Sequence, residues 1–283
     1  MSINKPLDPA DYLEPRCVLC DEPYGVTAEV KAVPQQRIIE KMNEYMSRRD
    51  YKGAERHLLY WLEEAKLGQD LRGELMIRNE LIGHYRKTGE RGRSLENADA
   101  ALALLGTLEM GETISAGTTY VNAATACNAF GEDERAMTLF QKAKEIYESI
   151  PRTDAGLLGG LYNNMALTCA ALSRYDEALA YYEKAMEQMG RVPGGALEQA
   201  ITCLNMADML EKRDGLEAAE SQVFELVDRA YALLTEGGAP EDGYYAFVCE
   251  KCAPAFSYYG YFLAAEELQK KAEEIYERNG TGD

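Results

Sequence analysis

Two kinds of side chain in this sequence could do chemistry: thiols and amides. Four of the seven cysteines form two C-x-x-C pairs, Cys17 and Cys20 in RCVLCDEPYG and Cys249 and Cys252 in VCEKCAP. Thiolate sulfur is a favoured zinc ligand, and two such pairs meeting in space make a four-sulfur tetrahedral site. The first pair lies in a proline-rich stretch, where a local turn aims both sulfurs at one point. The second reads as helical, where residues three apart share a face. Two other readings stand beside zinc. Cys249 and Cys252 also suit packing positions, because cysteine behaves as a small hydrophobe. The third is a redox pair, although neither flank reads as the strand–turn–helix of a dithiol redox site.

The amides are Asn79, Asn122, Asn163, Asn164 and Asn205. They fall in stretches otherwise rich in Ala, Leu, Met and Tyr, such as LYNNMALTCAALSRYDEALAYYEKAMEQM from Leu161 to Met189. Asparagine is a weak helix former, since its side chain competes for backbone hydrogen bonds. Its presence there needs a reason. An amide both donates and accepts, which suits it to the backbone of an extended peptide. Nothing else points to chemistry. His57 and His84 have no metal-like partner at i+4, and no phosphate-binding loop or nucleophile elbow occurs. The chain reads as a non-enzyme.

The elements that carry these residues repeat. Ala54, Ser94, Ala136, Ala178, Ala219 and Ala265 stand at intervals of 40, 42, 42, 41 and 46 residues. Around each, the pattern is helix, short turn, helix. Small residues recur where two helices must approach closely, and larger apolar residues such as Leu58, Phe140 and Tyr182 fill the space between. Arg49, Gly89, Gly131, Ser173 and Gly260 recur in the turns. One such unit cannot bury its apolar face alone, so neighbours must stack. Units are expected near 37–66, 75–107, 117–149, 158–189, 198–235 and 244–279, as one array over 37–283. Pro254 should kink or end the first helix of the sixth unit.

This pattern resembles the tetratricopeptide repeat, and its longer period is closest to the repeats of kinesin light chain and of bacterial peptide-sensing regulators. The resemblance covers about Arg37 to Arg278 and weakens in the fifth unit. It implies an all-α, right-handed solenoid of about six helix–turn–helix repeats, with first helices lining a concave groove. Asn122, Asn164 and Asn205 then share one position in consecutive repeats, and Asn163 matches Asn79. The implied role is a ladder of amides that holds an extended protein or peptide segment, with Thr125 and Asp208 reading side chains beside it. Thr118, Asn128, Glu211 and Glu250 align with the same face. The competing reading is structural: such an asparagine bonds the neighbouring helix and sets the stacking angle. A carboxylate clamp is excluded, because Ile39, Asn79, Val121, Asn163, Leu204 and Glu250 include no lysine where one is needed.

Composition narrows the partner. Forty-eight acidic residues against 30 basic ones give a net charge of −18. That disfavours nucleic acid and anionic membrane surfaces and leaves a neutral or basic protein partner. No apolar run approaches a membrane span, and the first residues have no signal-like apolar core. With an odd number of cysteines, this predicts a reduced, cytoplasmic setting. No cofactor is expected unless the four C-x-x-C cysteines bind zinc as a regulatory switch. Residues 1–36 hold five of the nine prolines and should be non-helical. They also carry Tyr12, Leu13, Val18, Leu19, Tyr24 and Val26, which predicts that this segment docks on its own repeats.

Overall fold

The computed structural model describes residues 30–236 and 238–280. Among them are twelve helices and no strand: α1 (Gln35–Ser47), α2 (Tyr51–Leu67), α3 (Leu71–Thr88), α4 (Arg91–Thr107), α5 (Ile114–Ala129), α6 (Asp133–Ser149), α7 (Ala155–Ala171), α8 (Tyr175–Met189), α9 (Ala196–Asp214), α10 (Leu216–Glu236), α11 (Gly243–Tyr258) and α12 (Phe262–Gly280). Consecutive pairs form helical hairpins, each beginning slightly before the start expected from the repeat. The chain divides into two compact units between Ile150 and Pro151. Ile150 is extended, at φ −86° and ψ 119°. The proline after it disfavours helical backbone there. The first unit holds α1–α6 and the second α7–α12.

Within the units second helices pack on the next first helix, as α2 on α3, α4 on α5 and α8 on α9. First helices also touch one another, as α3 with α5, α7 with α9, and α9 with α11. The repeating small residues sit at the closest approaches: Ala54, Ser94, Ala136 and Ala178 are fully buried. Ser94 is tolerated because its hydroxyl donates to Ile82 O at 3.0 Å. One turn on, Leu58, Phe140 and Tyr182 are equally buried, each worth about 1.5–3 kcal/mol for an apolar side chain of that size.

The ends of the helices follow from local sequence. Asp50, Asp70, Thr113, Asp154 and Asp242 cap α2, α3, α5, α7 and α11 through side-chain oxygens that accept first-turn amide hydrogens. The hairpin turns share one left-handed residue. Arg49, Gly89, Gly131, Ser173 and Gly260 have φ of 55°, 78°, 77°, 59° and 85°. Pro254 does not end α11, which runs unbroken to Tyr258. Pro254 and Glu250 both lie on the exposed side of the helix, so the carbonyl that loses its bond meets water.

Of the proline-rich segment, residues 30–36 are described: residues 30–34 lie outside any helix, whereas Gln35 and Gln36, expected to be non-helical, already belong to α1, whose first turn follows Pro34 directly. Lys31 N donates to Gly68 O at 2.9 Å. Val33 N donates to Asp70 Oδ2 at 2.9 Å, and Ala32 and Val33 are buried. The remainder of that segment, with Tyr12, Leu13 and Tyr24, lies outside the described residues.

Candidate functional site

The asparagines are positioned by contacts between first helices. In the first unit Asn79, on α3, is 5% exposed. Its Nδ2 donates to Leu75 O and to Thr119 Oγ1, both at 3.0 Å. Its Oδ1 accepts from Asn122 Nδ2 of α5 at 2.8 Å. The same arrangement recurs in the second unit between α7 and α9. Asn163 Oδ1 accepts from Asn205 Nδ2 and from Thr202 Oγ1, both at 3.2 Å. Asn79 can sit mid-helix because its amide bonds the next hairpin as well as the i−4 carbonyl of its own helix, so none of its polar atoms is left unpaired.

These bonds divide the expected amides into two groups. The amide of Asn79 is consumed inside the protein, and Asn163 accepts twice. The Oδ1 atoms of Asn122 and Asn205, and the whole side chain of Asn164, have no partner among the described residues, and all three residues are half-exposed. Thr125 is half-buried and donates to Val121 O at 2.8 Å. Asp208 is exposed and pairs with Lys212 at 2.7 Å. The four further residues aligned with the groove are engaged internally. Thr118 bonds Tyr147 Oη at 2.8 Å, Asn128 donates to Asp133 at 2.9 Å, and Glu250 accepts from Tyr276 Oη at 3.2 Å. Glu211 accepts from Tyr258 Oη at 2.6 Å.

Sequence reasoning missed Thr119 and Thr202. Each stands three residues before an asparagine of the column, on the same helix face, and that spacing was the available signal. It also missed Glu80, which occupies the Asn122 position one repeat earlier. Glu80 is half-buried, makes no bond among the described residues, and burial raises its pKa.

The thiols are placed differently from the amides. Cys17 and Cys20 lie outside the described residues. Cys249 is fully buried and Cys252 is 2% exposed, both as free thiols on the packed side of α11. Burial pushes the Cys252 thiol up to about 12 and raises Cys249 as well. Among the described residues no three His, Cys, Asp or Glu side chains are grouped to hold a metal ion. Cys127, Cys169 and Cys203 are fully buried packing residues.

Stacked helical hairpins with first helices in contact define the tetratricopeptide class of fold, and comparison with known proteins agrees. Residues 157–223 match the tetratricopeptide repeat family model. A crystal structure of a point variant of the "kinesin light chain nearly identical TPR-like repeats" of Podosopora anserina is 16% identical, with 70% of this chain and 92% of that one covered and a TM-score of 0.50. A second structure of those repeats is 16% identical, covering 72% and 96%, with a TM-score of 0.49. BtubC (BKLC) from P. vanneervenii is 15% identical, covering 89% and 94%, with a TM-score of 0.49. A search of curated proteins finds no match. At such identities the likeness is one of fold. As a class, repeats of this fold serve as protein-interaction scaffolds. No helix among the described residues is long and apolar enough to cross a membrane.

Proposed function

We propose that this chain is a binding protein rather than an enzyme, and that the first-helix faces of its hairpins hold an extended segment of a partner protein. The observation that carries this reading is the unspent amide chemistry of Asn122, Asn164 and Asn205. Each has at least one donor or acceptor without a protein partner among the described residues, at one repeated position. A peptide backbone offers the complementary groups at regular intervals. The net charge of −18 favours a neutral or basic partner. Five free buried thiols suit a reducing, cytoplasmic setting.

Asn164 is the clean probe, because Asn122 and Asn205 also bond neighbouring helices. Peptides selected against the immobilised protein from a random display library supply a ligand for fluorescence anisotropy. Asn164→Ala should then weaken binding about fivefold, the equivalent of one net hydrogen bond of about 1 kcal/mol, with the melting temperature unchanged. Wild-type affinity in this variant would remove the amide from the binding role.

A further inference from the structure

A second feature of the second unit lies outside the amide column. The loop between α8 and α9 and the loop leading into α11 border an open cavity of about 390 Å³. Its walls include Met189, Val192 and Pro240, and Glu198 and Tyr244 present polar groups to it. At that volume it lies near the lower limit of ligand pockets and takes one long side chain rather than a larger molecule.

Its electrostatics are those of a site waiting for a cation. Glu198, in the first turn of α9, is half-buried, and burial raises its pKa although Lys251 acts in the opposite sense. Its carboxylate accepts from Tyr244 Oη and forms no ion pair among the described residues. The helix N-termini here bring about half a positive charge each. Asp154 and Asp242 cap α7 and α11 with full negative charges, which outweigh the half charges of the helix ends they cap. The Tyr244 ring is 47% exposed and stacks on Phe247 at 6.3 Å. An exposed ring face beside a carboxylate attracts an alkyl cation.

We infer that this cavity receives the side chain of an arginine or lysine from the bound partner segment, with the aliphatic stem against Met189 and Val192 and the cationic head on Glu198. The inference rests on the peptide-binding reading above, but its test does not. Acetyl-arginine methylamide is titrated into the intact protein while the methyl NMR signals of Met189 and Val192 are followed. Saturable shifts in the millimolar range are expected. Acetyl-norleucine methylamide, of similar stem and no charge, should leave them in place. Glu198→Gln should weaken the arginine response about tenfold, the loss of one charge-assisted hydrogen bond, while melting at or above the wild-type temperature. Asn164→Ala should bind the capped arginine as wild type does. An absent or non-saturating response overturns the assignment. So does norleucine binding equally well, or a Glu198→Gln variant that keeps full affinity.

Discussion

Tyr182 is fully buried, and its hydroxyl meets no partner among the described residues. The equivalent residue one repeat earlier is Phe140, buried to the same degree. An unsatisfied buried hydroxyl costs about 1–3 kcal/mol, so Tyr182→Phe should stabilise the second unit by about 1 kcal/mol. Its melting temperature should rise by about 2–4 °C, read by circular dichroism at 222 nm. A fall of that size would mean that the hydroxyl has a partner, such as a trapped water. The amides teach the complementary lesson. Asn79 is buried and Asn163 half-buried, and each is bonded to the next hairpin, so the same residue type serves structure at one position and stays available at the next.

Each hairpin turn passes through one left-handed residue, and only some of them are glycine. Ser173 holds φ 59° where Gly131 holds 77°. A side chain in that region costs about 1–2 kcal/mol, partly offset by the greater unfolded freedom of glycine, about 0.5–1 kcal/mol. Ser173→Gly should therefore move the urea midpoint upward and Gly131→Ala downward. Shifts in the reverse directions would show that these turns do not need the left-handed conformation. This column was legible in the sequence, as was the buried column from Ala54 to Ala265, because both recur with the repeat and depend on contacts within one hairpin. The pairing of the amides was not legible. Aligning repeats places Asn79 opposite Val121, whereas its bond is to Asn122. Neighbouring first helices are offset by one position at the contact, and no single repeat encodes that offset. The cavity at Glu198 was hidden for a related reason: its walls include residues as distant as Val192 and Pro240, in loops that break the repeat.

At the scale of the whole chain, carboxyl groups and histidines drawn partly or wholly out of water make stability depend on pH in opposite senses. Burial lowers the pKa of His57 and of His84 below the ordinary 6.5. The unfolded chain then binds more protons than the folded one as pH falls from 6.5 toward the folded values, and stability is lost over that interval. Asp70 and Glu80 have pKa values raised by burial. Their folded forms take up protons first, and stability is regained as pH falls through those values. Melting curves at pH 7.5 and 5.5 should show a smaller loss for a His57→Gln/His84→Leu variant than for wild type, and equal losses would clear the histidines of that role. The bond from Val33 N to Asp70 bears on how the molecule is made. Val33 precedes its acceptor by 37 residues. At about 5–20 residues per second, synthesis leaves that amide waiting about 2–7 s for its carboxylate. Until then α1 is held on α2 by apolar contacts such as Ile38 with Leu58 in the shared core and by the 3.1 Å hydrogen bond between His57 Nε2 and Ile38 O. The segment that leads into α1 is therefore fastened late, by a residue that also starts the next hairpin, and a nascent chain halted before Asp70 would carry Val33 unlatched.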